Sequence, residues 1–180
     1  MNKKYELLVD DTITFFGWKL FRIKALISFG SVEAGELGGY VAKEGNLSHE
    51  GNAWVSDNAR VYGDARVFDN ARVFDNAWVY GDAWVYGNAE VYGDAWVYGN
   101  AEVCGDARVE SLKDYIVFKN NWSSGRYFTY TKSNKMWKAG CFYGTGQELI
   151  NKAYKDSENS GKRYEAYVKF VEQLEVLEVE

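Results

Sequence analysis

Residues able to carry out chemistry are scarce in this chain of 180 residues. His49 is the only histidine, and the two cysteines, Cys104 and Cys141, lie far apart. A zinc site needs several His or Cys ligands, and a nucleophile needs a partnered base. The sequence therefore predicts no catalytic residue, no metal and no cofactor, and we expect a protein that is not an enzyme.

The composition favours a globular protein of the cytoplasm. Apolar residues make up 47% of the chain, which is enough for a packed core. No apolar stretch is long enough to span a membrane, and the first residues lack a secretory segment. Two cysteines cannot form a disulfide framework. We therefore expect a cytoplasmic protein with no membrane partner.

A repeat of six residues determines the predicted fold. Its unit is Val, an aromatic, Gly or Asp, Asp or Asn, Ala, and then Arg, Trp or Glu, and it runs from 51 to 109. Valine recurs at every sixth position from Val55 to Val109, and alanine from Ala53 to Ala107. Because Ala and Val are two apart, both point to the inner face of a short strand. The Gly-Asp and Asp-Asn pairs then turn the chain, which predicts a parallel β-helix.

This pattern resembles the left-handed β-helix hexapeptide-repeat family, in which three hexapeptides make one coil of about 18 residues. The overall arrangement looks like that of β-helix proteins encoded by bacteriophages and prophages. The resemblance implies a mainly β chain, with a left-handed parallel β-helix, an N-terminal β cap and a small C-terminal α+β module. Many members of the family are acyltransferases, but those usually have a catalytic histidine and a loop excursion, and the run from 51 to 109 contains neither.

Three segments are predicted along the chain: a β cap over 1–35, the β-helix over 36–112, and an α+β module over 113–180. The cap is predicted to contain two strands, Tyr5–Val9 with Thr12–Phe16 and Leu20–Ile27, with breaks at Asp10-Asp11 and Gly17. The module is predicted to contain three strands, Tyr115–Lys119, Arg126–Thr131 and Met136–Tyr143, followed by two helices. A capping box at Thr145-Gly-Gln-Glu148 predicts the start of the first helix. Tyr164, Val168, Val171 and Leu174 form the apolar stripe of the second helix.

The first coil of the β-helix is expected to be irregular. Counting back in sixes places Val41 and Leu47 at alanine positions. The same count places Lys43 and His49 at the inward valine positions. We therefore expect His49 to have a structural or capping role.

One outer face of the β-helix is unusually aromatic. Residues 18 apart should stack, which predicts a column of Arg60, Trp78 and Trp96 beside a column of Tyr62, Tyr80 and Tyr98. Such a face could bind a partner or a second copy of the chain. It could equally be cross-strand stacking covered by the C-terminal module. On another face, Cys104 is predicted to point outward, where its thiol could react.

The β-helix also carries the net negative charge. Between 51 and 110 there are four arginines against seven aspartates and three glutamates, a net charge of −6, whereas the whole chain has −5. Asp64 and Asp82 should stack at one corner. Aspartate is a good corner residue, so turn chemistry is the simpler explanation at any one corner. The alternative is a rod of carboxylates that imitates a nucleic acid and meets a basic groove.

A basic segment follows at 113–138, where lysines and arginines alternate with aromatic residues. This pattern is typical of surfaces that bind single-stranded nucleic acid or another polyanion. The candidate contacts are Lys119, Trp122, Arg126, Lys132 and Lys135. A small sheet with a solvated lysine face is the favoured alternative.

The sequence predicts a non-catalytic interaction protein, and the resemblance to phage proteins implies that it acts in the cytoplasm of a bacterial host. Our leading hypothesis is an inhibitor of a host defence protein such as a nucleic-acid-guided nuclease, that is, an anti-CRISPR protein. The predicted contact residues are Tyr62, Asp64, Trp78, Tyr80, Asp82, Trp96 and Tyr98. The alternatives are a virion or assembly component that forms a homo-oligomer, and a protein that binds nucleic acid through 113–138.

Overall fold

The computed structural model describes residues 3–177, which divide into two compact units, Met1–Tyr115 and Ile116–Glu180. The first unit is a parallel β-solenoid of about four turns that is preceded by an antiparallel hairpin. The second unit is a four-stranded sheet packed against two helices. Mainly β structure with two C-terminal helices is therefore confirmed.

The N-terminal strands are β1 (Tyr5–Phe15), β2 (Trp18–Ala25) and β3 (Leu37–Val41), and they pair antiparallel in this order. The predicted break at Asp10-Asp11 is a bulge, because the pairing register shifts between Leu8 and Thr12 without ending the strand. Phe16 and Gly17 both have positive φ and form the tight turn between β1 and β2. The segments 5–9 and 12–16 therefore form one continuous strand, which pairs with the second predicted strand.

Ten strands of two residues each form the solenoid. They are β4 (Trp54–Val55), β5 (Arg60–Val61), β6 (Arg66–Val67), β7 (Arg72–Val73), β8 (Trp78–Val79), β9 (Trp84–Val85), β10 (Glu90–Val91), β11 (Trp96–Val97), β12 (Glu102–Val103) and β13 (Arg108–Val109). Three parallel sheets result, in the orders β3-β5-β8-β11, β4-β7-β10-β13 and β6-β9-β12. Paired residues in β4–β13 are 18 apart, as in Trp78 with Trp96.

The core of the solenoid consists of the repeated alanines and valines. Every alanine from Ala53 to Ala107 is fully buried, and every valine from Val55 to Val109 is at most 1% exposed. The predicted inward direction of both positions is confirmed. Backbone amides of one coil bond carbonyls of the next, for example Trp78 N–H to the Ala95 carbonyl at 2.8 Å. A chain without proline can keep this ladder unbroken.

The first coil has a different register from the predicted one. Val41 pairs with Val61 and Leu47 with Val67, so both occupy valine positions and the offset is 20 residues in place of 18. Gly39 takes the neighbouring alanine place, where a Cβ would approach the Ala59 carbonyl oxygen to 2.6 Å. The prediction for this coil is wrong because five residues, 48–52, separate Leu47 from Ala53, whereas three residues separate a valine from the next alanine in the regular repeat. Lys43 therefore lies outside the core.

The corners of the solenoid follow the predicted turn chemistry. Asp57, Asp69 and Asp75 have φ between 54° and 59°, and glycines occupy most of the other positive-φ corners. Next to them, amide side chains form ladders along the axis. Asn52, Asn70, Asn88 and Asp106 are linked in sequence by bonds of 3.1, 3.2 and 3.0 Å.

The remaining elements are β14 (Tyr115–Lys119), whose first residue still belongs to the first unit, and then β15 (Tyr127–Thr131), β16 (Met136–Ala139), β17 (Phe142–Thr145), α1 (Gly146–Asp156) and α2 (Glu158–Leu177) of the second unit. The strands lie in the order β14-β15-β16-β17. Four strands replace the three predicted because Gly140, with φ of 59°, makes a tight turn inside the predicted third strand. The capping box of α1 is confirmed, since Thr145 and Glu148 bond each other's backbone amides. Tyr164, Val168 and Val171 are buried as predicted, whereas Leu174 is 36% exposed.

Candidate interaction surfaces

The aromatic face of the solenoid consists of two stacked columns on β5, β8 and β11. Trp78 and Trp96 stack with their ring centroids 4.7 Å apart and their planes within 4°. Tyr62, Tyr80 and Tyr98 form the second column, with centroid distances of 5.1 and 5.3 Å. These spacings follow the distance between neighbouring strands, so the solenoid itself holds the rings in register.

Exposure of this face rises steadily along the solenoid axis. Tyr62 is buried at 7% exposure, Trp78 and Tyr80 are half-buried, and Trp96 and Tyr98 are 38% and 45% exposed. Other exposed aromatics in the solenoid, such as Trp84, lie on a different sheet. The C-terminal end of the aromatic face is therefore its accessible part.

The N-terminal hairpin covers the other end of the face. The Phe15 ring packs edge-on against Trp78 at 4.6 Å and against Tyr62 at 5.9 Å, and Trp18 lies 5.9 Å from Tyr62. The Arg60 guanidinium lies 4.2 Å from the Phe15 ring centroid. Sequence reasoning missed this cover because Phe15 and Trp18 are far from the repeat in sequence.

A groove of about 560 Å³ adjoins the two tryptophans. Its lining residues are Arg60, Asn76, Trp78, Asp94, Trp96, Ser111, Leu112 and Lys113. Both signs of charge and two indole rings therefore meet in one depression. Sequence reasoning missed Asn76 and Asp94, although each precedes a tryptophan by two residues and so must lie at the adjacent corner.

The phenols beside this groove are neutral hydrogen-bonding groups at neutral pH. Burial raises the pKa of Tyr62 and Tyr80 above the ordinary value, and the stacked neighbouring phenol adds to the effect in each case. The Tyr115 hydroxyl donates to the Trp96 carbonyl at 2.8 Å, and burial raises its pKa as well. The surface can therefore bind by stacking and hydrogen bonding.

The two predicted acidic contacts differ in their surroundings. Asp64 accepts from the Lys43 ammonium at 2.6 Å, so a cation of the first coil already neutralises it. Asp82 is exposed and has no ion-pair partner among residues 3–177. Other corner aspartates have a structural role: the Asp75 carboxylate accepts from the Gly93 amide at 3.1 Å, and the Asp69 carboxylate accepts from the Gly87 amide at 3.3 Å.

The five predicted contacts of the basic segment lie in two separate places in the second unit. Lys119, Trp122 and Arg126 lie at or in the loop between β14 and β15. Lys132 and Lys135 lie in the turn after β15, at the opposite end of that strand, and Lys135 is 3.9 Å from Glu175. Sequence reasoning missed Arg163 of α2, whose guanidinium lies 5.5 Å from the Trp122 ring centroid.

Cys104 and His49, which could take part in chemistry, are both packed against other parts of the protein. Cys104, predicted to point outward where its thiol could react, is buried at 4% exposure, whereas Cys141 is exposed. His49 does not point into the solenoid core: it stacks on Tyr5 at 4.3 Å, and its Nδ1 accepts from the Lys4 amide at 3.2 Å. Burial is the main cause that lowers the pKa of His49. The Nδ1 bond requires a neutral ring, which the lowered pKa favours.

Residues 3–177 contain no group of three or more His, Cys, Asp or Glu side chains arranged to hold a metal ion. Neither helix of that range is long and apolar enough to cross a membrane.

Comparison with protein families supports the β-solenoid. The model of the YdcK β-solenoid repeat matches residues 53–67 and 65–81, two overlapping parts of the six-residue repeat. A search of curated proteins found no match to this chain. The similarity therefore concerns the scaffold, and such scaffolds host unrelated functions.

Proposed function

We propose that this chain is a non-catalytic protein-interaction protein that binds its partner through the exposed end of the aromatic face. The contact surface consists of Trp78, Tyr80, Trp96 and Tyr98 together with Asp82 and the groove beside the tryptophans. Rigid aromatic side chains contribute a large contact area at low entropic cost, which is why they dominate binding hot spots.

The observation that carries this proposal is the exposure of Trp96 and Tyr98 in ordered columns. Trp96 and Tyr98 are the last rings of their columns, so stacking on Trp78 and Tyr80 occupies only one face of each. Tyr62, at the other end, is buried where the hairpin covers the column. At the C-terminal end the rings remain 38% and 45% exposed. The adjoining groove supplies Arg60 and Lys113 as cations and Asp94 as an anion, so polar groups of a partner can be paired.

A comparison of two tryptophan variants tests this proposal. Trp84 is a matched control because it is 39% exposed but lies on the sheet β6-β9-β12. The immobilised full-length chain should capture a bacterial protein from lysate. Trp84→Ala should capture the same amount of this protein, and Trp96→Ala should capture at least tenfold less. Equal capture by all three chains, or equal loss in both variants, would show that the aromatic face is not the contact.

The two corner aspartates provide a second comparison in the same assay. Because Lys43 already neutralises Asp64, we expect Asp82→Lys to weaken capture more than Asp64→Lys. The salt dependence of capture should decrease with Asp82→Lys. Unchanged capture by both charge reversals would remove the acidic contribution and leave the aromatic one.

The specific partner we propose is a host defence protein with a basic nucleic-acid groove, inhibited by a phage-encoded protein in the bacterial cytoplasm. The net charge of −6 over 51–110 and the resemblance to phage β-helix proteins support this version. The chain has two cysteines, too few for a disulfide framework, and this supports a reducing compartment. The test is whether the captured protein is a nucleic-acid-guided nuclease whose cleavage the full chain inhibits and Trp96→Ala does not.

A second candidate is self-association through the same face, because exposed ring columns could extend across a symmetric interface. Sedimentation of the purified chain distinguishes the two. An oligomer that becomes monomeric in the Trp78→Ala/Trp96→Ala double variant would assign the face to assembly. A monomer at all concentrations would exclude assembly.

We further propose that the solenoid is left-handed, with three hexapeptides in each coil. The pairing interval of 18 residues in β4–β13 supports three units, and the resemblance to the hexapeptide-repeat family supports the hand. An experimental structure would determine both.

A further inference from the structure

The sheet of the second unit contains cations without acids. Residues 116–147 include five basic side chains and no aspartate or glutamate, and the acids of this unit begin at Glu148 on α1. The carboxylates are thus segregated onto the helices. A sheet with this charge attracts a polyanion.

Three cations and two exposed aromatic rings meet at one end of this sheet, around the loop between β14 and β15. The Lys119 ammonium lies 4.1 Å from the Tyr127 ring centroid, and Arg163 lies 5.5 Å from that of Trp122. Trp122 is 72% exposed and Tyr127 is 38% exposed. The Arg126 side chain is exposed in the same loop.

The loop is held in a defined conformation. Buried Asn120 donates to Ser123 Oγ at 2.8 Å, and its backbone carbonyl accepts from the Gly125 amide at 2.7 Å. The Tyr167 hydroxyl donates to the Lys119 carbonyl at 3.5 Å, which brings α2, and Arg163 one turn earlier, to the end of β14. Trp122 is therefore held outward by a bonded loop, with a cation from α2 against its ring.

We propose that this cluster, Lys119, Trp122, Arg126, Tyr127 and Arg163, is a binding site for single-stranded nucleic acid. Unstacked bases stack on the rings of Trp122 and Tyr127, and the three cations pair with the phosphates between them. Bases in a duplex are already stacked and cannot reach these rings, so single strands are preferred. This site lies on a different unit from the proposed protein-binding face, and neither depends on the other.

Fluorescence anisotropy with labelled oligo-dT and oligo-rU of 15 nucleotides, at 50 and 200 mM KCl, tests the site in the full-length chain. Trp122→Ala should lower affinity about tenfold because one stacked base is lost, and Trp122→Phe should largely restore it. Lys119→Glu/Arg126→Glu should weaken binding further and reduce the slope of log affinity against log salt by about 1.4.

Lys152→Glu on the exposed surface of α1 is the matched charge control, and it should leave affinity within about twofold of the wild-type value. Far-UV circular dichroism and the Tm of each variant confirm folding. The proposal is overturned if the wild type fails to bind at 50 mM KCl, or if Lys152→Glu weakens binding as much as Lys119→Glu/Arg126→Glu. Equal affinity for a duplex, or Trp122-dependent binding to anionic lipid vesicles without binding to oligonucleotides, would also overturn it.

Discussion

Lys4 is a buried cation at the N-terminal end of the solenoid. Only 1% of the residue is exposed, and its ammonium donates to the Ala53 carbonyl at 2.9 Å and to the Gly51 carbonyl at 3.4 Å. Those carbonyls belong to the start of the repeat, where no earlier coil supplies amides. Lys4 thus satisfies backbone groups that a solenoid leaves unpaired at its end.

Burial gives Lys4 a measurable effect on stability. It lowers the pKa of Lys4 to about 8 from its ordinary value of 10.5. Between these two values the unfolded chain binds a proton that the folded chain has lost, so the free energy of unfolding rises with pH in that range. Below about pH 8 both states carry the proton, and the cost of burying the charge remains in full.

Urea unfolding between pH 7.5 and 9.5 therefore tests the burial of Lys4. In the wild type, Lys4 should make the free energy of unfolding rise with pH, and Lys4→Met should remove that rise. Lys19 is exposed, so Lys19→Met should keep the rise. The pH range ends below 10 because of Tyr5, whose pKa is raised by burial in the folded state. At higher pH this tyrosine ionises in the unfolded chain before it ionises in the folded chain, which lowers the free energy of unfolding. A parallel pH profile for wild type and Lys4→Met would contradict the assignment.

At the scale of elements, glycine corners determine how closely coils can stack. Gly63, Gly81 and Gly99 form one column with φ between 63° and 70°. A Cβ at Gly81 would lie 3.0 Å from the Gly99 backbone nitrogen, whereas a Cβ at Gly99 would meet nothing within 4 Å. The two glycines share the same backbone requirement but differ in crowding.

Alanine substitutions at these two corners should separate conformational strain from crowding. Gly99→Ala should cost about 1–2 kcal/mol because alanine is strained at positive φ. Gly81→Ala should cost more, since the next coil must also move away from the new methyl group. The urea midpoints of the two variants measure this difference. Equal midpoints would indicate that the next coil moves away from the new methyl group without any loss of stability.

Elements with a strict period were predictable from sequence, and those fixed by distant packing were not. The alternation of Ala and Val determines the inner face because only small and β-branched residues fill the narrow core. The register of Val41 and Leu47 was mispredicted because two additional residues in 48–52 shift the phase without changing residue type. Trp54 occupies the outward position between Ala53 and Val55 in the repeat, but it is buried under Tyr5 and Phe29.

The same limit applies to the candidate sites. Their aromatic columns follow from the repeat, but the exposure gradient depends on Phe15 and Trp18 of the hairpin. Arg163 joins Trp122 only because α2 packs along β14, a contact that local sequence does not encode. Sequence therefore predicted which rings align, while tertiary packing determines which of them a partner can reach.

For the whole molecule, charge and aromatic surface are distributed unevenly between the two units. The acidic solenoid carries the aromatic face, and the sheet of the second unit carries cations without acids. The solenoid face and the basic loop are thus suited to partners of opposite character. The central claim is that a protein partner occupies the exposed end of the aromatic face.

Hydroxyl-radical footprinting of the complex captured from bacterial lysate tests that claim most directly. Trp96 and Trp84 are 38% and 39% exposed, so they should be oxidised at similar rates in the free chain. In the complex, oxidation of Trp96 should fall at least fivefold while that of Trp84 stays unchanged. Unaltered oxidation of Trp96, or protection of Trp84 alone, would contradict the assignment of the aromatic face as the binding surface.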